Sequence, residues 1–211
     1  MNSFDQVTLV DHPVVSRDLT ILRNRNTPSP DFRSALNRIA IILAYNSLKG
    51  LPLRKVEVET PIQKTDGYEL DTGIVVVSIL RAGLGLVDAV TRFIPEAKIG
   101  HLGMYRDETT HQPVDYYSKI PQNIQNDHVL LVDPMLATGG SATDSVSFLK
   151  SKGAQNIRFM CLISAPEGIQ RLRQTHPDVS IITAAVDECL NDDAFIVPGL
   201  GDAGDRIFGT V

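Results

Sequence analysis

From residue 74 onward, continuous apolar runs rich in β-branched residues alternate with stretches of helical periodicity, and this alternation constrains the fold more than any other feature. A strand covered on both faces is apolar at nearly every position rather than at every second one. Helical patterns between such runs indicate βαβ units. We therefore predict an α/β fold with a doubly wound, mainly parallel sheet. The predicted strands are Ile74–Leu80, Ile99–Tyr105, Val129–Asp133, Ile157–Ser164 and Ile181–Val186.

The segments on either side of these strands add smaller elements. The chain has 211 residues, which is enough for one domain with decorated ends. We predict a single domain over 1–211, with a core at about 74–190, an N-terminal helix and arm in 1–73, and a C-terminal segment in 191–211. Ser29 is predicted to cap a helix, and Asp66–Gly67 to form the turn of a hairpin within Thr60–Leu70. We expect the hairpin to be an arm that grips a second subunit and the termini to form a small hood.

Charge and composition exclude several classes of function. The net charge is −5 and the isoelectric point is about 5.5. A negatively charged protein is poorly suited to bind the negatively charged backbone of a nucleic acid. The acidic first residues do not resemble a signal peptide, and no apolar run approaches the length of a membrane helix. The chain has two cysteines, Cys161 and Cys189, without metal-ligand or CxxC spacing. We expect a cytoplasmic protein with no nucleic-acid or membrane partner.

Chemically distinctive residues follow successive predicted strands. Arg81 follows the first strand, Arg106 follows the second, and the third ends at Asp133 and leads into a Gly-rich turn. Ligands of parallel α/β sheets bind beyond the carboxyl ends of the strands. Two guanidinium groups, a carboxylate and a turn with free N–H groups are therefore expected at one edge of the sheet, where they would suit a small anionic substrate.

The turn Thr138-Gly139-Gly140-Ser141 is predicted to bind a phosphate monoester. A helix begins directly after it, so free backbone N–H groups and the positive helix end face the same volume. Side chains at the two glycines would keep the backbone from wrapping the anion, whereas the hydroxyls of Thr138, Ser141 and Thr143 could donate to it. The lysine of a Walker A loop is missing, which argues against ATP hydrolysis.

The segment VLLVDPMLATGGSA resembles the 5-phosphoribosyl 1-diphosphate (PRPP) motif of type I phosphoribosyltransferases. Beyond it, SILRAGLGLVDAV, YRDE, FMCLISAPEGI, HPDV and FIVPGLGDAGDRIFGT resemble the uracil phosphoribosyltransferase family over nearly the whole chain. The resemblance implies transfer of the phosphoribosyl group of PRPP to N1 of uracil, giving UMP and diphosphate in pyrimidine salvage. Pro134 replaces the second acid of the wider superfamily's motif, as in the uracil branch.

The resemblance also assigns roles to residues. Arg81, Arg106 and Asp202 would be catalytic, with the two arginines binding the diphosphate and Asp133 holding ribose hydroxyls. No protein ligand of a metal is assigned, since Mg²⁺ would be bound mainly through PRPP and water. A non-proline cis peptide is implied next to Arg81. The full set implied to bind PRPP is Arg81, Arg106, Asp133, Pro134, Met135, Leu136, Ala137, Thr138, Gly139, Gly140, Ser141 and Asp202.

The C-terminal glycines at 199, 201 and 204 match the GxGxxG spacing of dinucleotide-binding proteins, but seven residues are too few for the helix and strand that should follow. By resemblance they form the base-binding turn instead, where uracil would be bound by Ile196, Gly201, Asp202 and Ala203. A backbone C=O flanked by N–H groups would accept uracil and leave unpaired groups against cytosine.

The sequence leaves alternative substrates and a non-enzymatic function open. Adenine, hypoxanthine or orotate could replace uracil on the same fold, and a regulator that binds RNA or DNA is a non-enzymatic alternative that lacks a basic cluster. Asp107–Lys119 is expected to be a mobile loop that closes over PRPP. The resemblance further implies a homo-oligomer and a GTP activator, which no residue of the chain establishes.

Overall fold

The apolar runs form the centre of one sheet in the computed structural model, which describes residues 6–106 and 113–210, and of these only the backbone at 104–106 and 113–116. The strands are β1 (Val7–Leu9), β2 (Leu53–Glu59), β3 (Lys64–Leu70), β4 (Ile74–Leu80), β5 (Lys98–Arg106), β6 (Pro113–Lys119), β7 (His128–Val132), β8 (Met135–Leu136), β9 (Asn156–Ser164), β10 (Ser180–Val186), β11 (Cys189–Leu190) and β12 (Ile196–Val197). The helices are α1 (Pro13–Arg23), α2 (Ser29–Ser47), α3 (Leu84–Phe93), α4 (Gly140–Ser151), α5 (Pro166–Thr175) and α6 (Ala203–Phe208).

The main sheet has the strand order β1-β10-β9-β7-β4-β5-β6, and β8 pairs with the far end of β9. All these pairings are parallel except that of β6 with β5. The parallel strands therefore end at one edge, as the sequence predicted. Three strands of this sheet were not predicted: β1 extends the edge beside β10, β8 pairs with β9, and β6 makes residues 113–119 a strand rather than part of a loop. Residues 107–112 of the predicted loop lie outside the described residues.

Helices cover both faces of the sheet, which confirms the doubly wound arrangement. In β4, Val76 packs with one apolar cluster, whereas Val75 and Val77 pack with the other. The first cluster contains the inner faces of α1, α2, α3 and α6, and the second contains those of α4 and α5. Burial on alternating sides explains why the strands are apolar throughout. No helix among residues 6–106 and 113–210 has the length and apolar character to span a membrane.

Two local predictions in the N-terminal part need correction. The helix does begin at Ser29, but Pro28 occupies the capping position and no side chain caps the helix. The hairpin consists of β2 and β3, with its turn at 60–63, so the predicted turn at Asp66–Gly67 is wrong. The hydroxyl of Thr60 accepts hydrogen bonds from the N–H groups of residues 62 and 63, and this local closure determines the turn. Gly67 instead lies within β3, opposite Val56.

Candidate functional site

The segment after β7 crosses to the neighbouring strand before it enters a helix. The carbonyl of Pro134 accepts hydrogen bonds from the N–H groups of Leu162 and Ile163 in β9, and β8 continues the contact. The N–H of Asp133 donates to the Met160 carbonyl at 3.2 Å. Backbone bonds to β9 thus fix the path of the segment from 133 to 136, so α4 begins directly beyond the edge of the sheet.

Gly139 is the tightest point of the turn. It has the left-handed φ of 75°, and a Cβ built on it would lie 2.7 Å from the Gly168 carbonyl oxygen of α5. The turn is therefore glycine-rich for a packing reason as well as for the predicted access of an anion. Thr138 is half-buried and Ser141 is exposed, whereas Thr143 is 6% exposed inside α4. The structure separates Thr143 from the two hydroxyls with which the sequence analysis grouped it.

The two predicted arginines follow neighbouring parallel strands. Arg81 comes directly after β4 and is joined to Leu80 by a cis peptide bond, which agrees with the expectation. Its side chain is 60% exposed, and its Nη2 donates to Asp205 Oδ1 at 3.4 Å. Arg106 ends β5, so its backbone lies at the same edge, but its side chain is not among the described ones.

A cavity of about 250 Å³ lies between the segment that leads from β7 to the turn and the C-terminal segment. Asp133, Met135 and Ala137 line it from the segment before the turn, whereas Arg81 and the turn residues 138–141 do not line it. Every predicted uracil-binding residue lines it from the opposite side: Ile196, Gly201, Asp202 and Ala203. Ala82, Ala194, Phe195 and Gly204 complete the wall and were missed by the sequence analysis. The structure thus brings together two segments that lie more than 50 residues apart in the chain.

The backbone of Ile196 is oriented by its strand pairing. In the antiparallel pair of β11 and β12, Leu190 lies opposite Ile196, and the flanking Phe195 and Val197 carbonyls accept hydrogen bonds from the other chain segment. Antiparallel residues alternate between bonding to the partner strand and pointing away from it, so the N–H and C=O of Ile196 point away from β11. They form one donor and one acceptor on adjacent positions, which suits the edge of a planar base.

Two carboxyl groups belong to the cavity, and they differ in environment. Asp202 is exposed and caps α6, where its Oδ1 accepts the N–H of Asp205 at 2.9 Å. Burial above all, together with the charge of Asp202, raises the pKa of Asp133 to about 7 against the opposing effect of a hydrogen bond from the Met135 N–H. In the free protein, Asp133 therefore titrates near neutrality. A ligand that brings hydroxyl donors would favour its ionised form.

Long-range side chains hold the C-terminal segment, and the sequence analysis missed them. Arg23 of α1 and Asp187 after β10 form an ion pair that also bonds Gly199. Arg206 donates to the carbonyls of Leu200, Leu22 and Asn24, and its guanidinium stacks over the ring of Phe32. An arginine in a helical pattern is usually a solvated residue, and no local motif distinguishes these two. They could have been found only from the three-dimensional pairing.

The donor set does not form a protein cage for a metal ion. Within the described ranges, no group of three or more His, Cys, Asp or Glu residues could hold one. The carboxylates of Asp133 and Asp202 face the same cavity, which fits a hard cation that arrives with most of its oxygen ligands already supplied by a polyphosphate and water.

The sequence comparisons with known proteins agree on one family, and the structural comparisons agree on the fold. A family model described as uracil phosphoribosyltransferase matches residues 9–210. The uracil phosphoribosyltransferase of Salinibacter ruber is 55% identical over 98% of this chain and 98% of its own length. The solved structure of the AQ2163 protein from Aquifex aeolicus matches with a TM-score of 0.90 and 34% identity, over 96% of this chain and 97% of that one. A hypoxanthine phosphoribosyltransferase from Trypanosoma cruzi shares the fold, with a TM-score of 0.52 and 15% identity over 75% of each chain.

Proposed function

The chain belongs to the uracil phosphoribosyltransferase family and transfers the phosphoribosyl group of PRPP to uracil in pyrimidine salvage, and we propose how its residues divide that reaction. Residues 1–211 would act as one domain, in which the core at about 74–190 binds PRPP and the two termini cover the base. The cavity is the observation that carries the proposal, because residues from both predicted substrate sites line it: Asp133, Met135 and Ala137 of the PRPP set, and the uracil set.

The turn at 138–141 would anchor the 5′-phosphate of PRPP. Its support is the start of α4 at Gly140, where the first N–H groups have no acceptor within the helix. The exposed Ser141 hydroxyl can donate to the same anion. Asp133, which follows β7 and lines the cavity, would accept hydrogen bonds from the ribose hydroxyls. The remaining members of the segment, 134–137, would shape the wall that the ribose contacts.

Arg81 and Arg106 would bind the diphosphate and stabilise it as it leaves. A guanidinium holds two phosphate oxygens at once and stays charged at any relevant pH. The transition state of glycosyl transfer has oxocarbenium character, so charge on the leaving group must be stabilised more than the nucleophile must be activated. Arg81 is solvent-exposed and weakly paired in the free protein, which leaves its guanidinium available for such a ligand.

Uracil would bind through backbone groups at the other wall of the cavity. The N–H and C=O of Ile196 point away from β11, and residues 201–203 lead into α6, where the N–H groups of Ala203 and Gly204 have no acceptor within the helix. Uracil presents an N3–H between two carbonyls, whereas cytosine reverses the pattern on one side. Each unpaired buried group costs about 1–3 kcal/mol, which is enough for discrimination.

Magnesium would be bound mainly by the phosphates and hydroxyls of PRPP. When bound, it supplies positive charge that stabilises the departing diphosphate. The chain's own part is electrostatic, because Asp133 and Asp202 give the cavity two carboxylates that tolerate a cation. Asp202 would keep its role as the cap of α6 while its second oxygen faces the substrate.

A base-panel assay and one variant test the proposal. With PRPP and Mg²⁺ present, we expect turnover of uracil, none of adenine, hypoxanthine or orotate, and turnover of cytosine far slower than that of uracil. Arg106→Ala should lower kcat by at least about 100-fold, because one charged contact to the leaving group is lost, while circular dichroism stays unchanged. Turnover of a purine without turnover of uracil would refute the base assignment, and wild-type turnover by the variant would refute the role of Arg106.

Exposed apolar surfaces of the N-terminal part support a proposal on assembly. Ile62 and Tyr68 of the β2–β3 hairpin are 91% and 67% exposed, and Tyr45 on α2 lines an open groove of about 680 Å³. We propose that these apolar surfaces are buried in a homo-oligomer, which sedimentation equilibrium would detect.

GTP activation and a cytoplasmic location are proposed from family membership. Measuring the reaction rate with and without GTP tests the proposed activation.

A further inference from the structure

Arg23 and Asp187 form a two-point ion pair beside the base-binding segment. Arg23 Nη2 lies 2.6 Å from Asp187 Oδ1, and Nη1 lies 2.8 Å from Oδ2. The Asp187 side chain is 5% exposed and that of Arg23 is 29% exposed. The hydrogen bonds to Asp187 hold the pKa of Arg23 above its usual value. A pair with this geometry and burial is stronger and better oriented than an ion pair on the surface.

The same two side chains bond both backbone groups of Gly199. Asp187 Oδ2 accepts the Gly199 N–H at 2.8 Å, and Arg23 Nη1 donates to the Gly199 carbonyl at 2.8 Å. Gly199 has a φ of 60°, and a Cβ on it would collide with the carbonyl oxygen of Ile196. The pair therefore closes a small ring of hydrogen bonds around a residue that lies between Ile196 and Gly201.

Arg206 fixes the next residue against the same helix end. It donates to the Leu200 carbonyl at 2.9 Å and to the Asn24 carbonyl at 2.7 Å, and it also contacts the Leu22 carbonyl. The last turn of α1 thus holds two successive residues of the base-binding segment. The residues of α1 do not themselves line the cavity, so the helix acts on the base site through these contacts.

From this geometry we propose that Arg23 and Asp187 are positioning residues that determine uracil affinity and the discrimination against cytosine. The inference rests on the proposed function of Ile196 and Gly201–Ala203 as the base site. Backbone donors and acceptors distinguish two bases only if they stay within hydrogen-bond distance of fixed positions. Because Gly199 is held at both its N–H and its C=O, the groups on either side of it are fixed before uracil binds, which lowers the entropic cost of binding.

Steady-state kinetics of Arg23→Gln test the proposal. We expect the KM for uracil to rise by about tenfold or more, because a charged contact that orients the site is lost. The ratio of kcat/KM for uracil to that for cytosine should fall, and the KM for PRPP should change by less than twofold. An unchanged uracil KM and an unchanged base ratio would overturn the proposal.

Arg38→Gln is a matched control for a merely structural role. Arg38 pairs with Asp18 through two contacts, Nε to Oδ2 at 2.7 Å and Nη2 to Oδ1 at 3.0 Å, and Asp18 is fully buried. This pair joins α1 to α2, and neither of its residues lines the cavity. We expect the variant to lower the melting temperature without changing the uracil KM. Equal rises of the uracil KM in both variants would overturn the proposal.

Two more variants separate the possible failures. Asp187→Asn keeps an oxygen for the Gly199 N–H but places an amide against Arg23, and its effect should not add to that of Arg23→Gln in the double variant. It also serves as the test if Arg23→Gln does not fold.

Gly201→Val changes the cavity wall itself. If Gly201→Val leaves the uracil KM unchanged, the base-site assignment fails; if only Gly201→Val raises it, the positioning role fails.

Discussion

The two ends of the cavity are built in opposite ways. The phosphate end consists of consecutive residues, 133–141, whose path is fixed by backbone bonds to β9 and by close backbone packing on α5. The base end is held by side chains from far away in the sequence, since Arg23 lies 176 positions from Gly199 and Arg206 lies 182 positions from Asn24. The phosphate end is therefore determined by contacts within and beside the main sheet, whereas the base end depends on contacts from distant parts of the chain.

Because of this difference, substitutions at the two ends should have different effects on substrate binding. A backbone-fixed turn has no side chain that can be exchanged to tune it, so its failure should be severe and specific to PRPP. A segment held by side chains can shift by small amounts, so its failure should be graded and specific to the base. The test of this division is therefore whether variants at the phosphate end change mainly the KM for PRPP, and variants at the base end mainly the KM for uracil.

The largest effect is expected for Gly139→Ala. A Cβ at this position would lie 2.7 Å from the Gly168 carbonyl oxygen, and the positive φ adds roughly 1–2 kcal/mol of strain. The turn must shift, and a displacement of about 1 Å near reacting groups can cost about 100-fold in rate. We expect kcat/KM for PRPP to fall by about 100-fold or more, as measured by steady-state assay, while the KM for uracil changes much less.

Gly50→Ala is the control for backbone strain alone. Gly50 has a φ of 77°, a methyl group on its Cα would meet no heavy atom within 4 Å, and it lies outside both the segment 133–141 and the cavity. Its variant should be destabilised by about 1–2 kcal/mol and keep its kinetic constants. If Gly50→Ala lost activity to the same extent, general destabilisation would account for the effect of Gly139→Ala, and the local character of the phosphate end would be refuted.

The same division explains how much of the molecule could be predicted from sequence. The order of buried strands and helices was predictable because burial on both faces makes each run apolar throughout. The turn between β7 and α4 was predictable because its residues are contiguous and their residue types are dictated by the turn, whereas its binding of PRPP stays a prediction. The residues Arg23, Asp187 and Arg206 were not, since each is an ordinary charged residue until the fold brings it to the base-binding segment.

The wrong local predictions have a related cause. Asp66–Gly67 has strong turn propensity, but cross-strand pairing with Val56 and its neighbours kept both residues in β3. Residues 113–119 are polar and contain Pro113, yet they form an edge strand, where proline and polar side chains are tolerated. In both places the local sequence allows either a turn or loop or a strand at similar free energy, and pairing with a neighbouring strand favoured the strand.

A second, smaller effect is expected where the two ends meet at Asp133. Its folded-state pKa of about 7 lies above the usual value of 3.8, so the folded protein binds more protons between these pH values, and ionisation lowers stability as pH rises. His128 acts in the opposite direction, because burial lowers its pKa to about 4. In Asp133→Asn, the free energy of unfolding should therefore rise more steeply with pH from about 4 to 7 than in the wild type.

Chemical denaturation of both proteins across this pH range, without substrates, measures the difference. Identical pH profiles would show that Asp133 has an ordinary pKa in the free protein. Asp202→Asn sharpens the test, since removing the neighbouring negative charge should move the Asp133 transition to lower pH. A shift in that direction would also demonstrate that the phosphate end and the base end interact electrostatically across the cavity.

The smallest effect is expected for Asp205→Asn, which alters a direct contact between α6 and Arg81, to which we assign the diphosphate of PRPP. Arg81 Nη2 and Asp205 Oδ1 are 3.4 Å apart, and their side chains are 60% and 35% exposed. Ion pairs this exposed contribute about 0.2–1 kcal/mol, so the KM for PRPP should change by no more than about fivefold. Asparagine keeps an oxygen that can accept the Thr210 hydroxyl bond, so α6 should remain in place. A rise of the uracil KM together with a large change in the PRPP KM would mean that Asp205 couples the ends, and the two halves of the cavity could then no longer be treated as independently built.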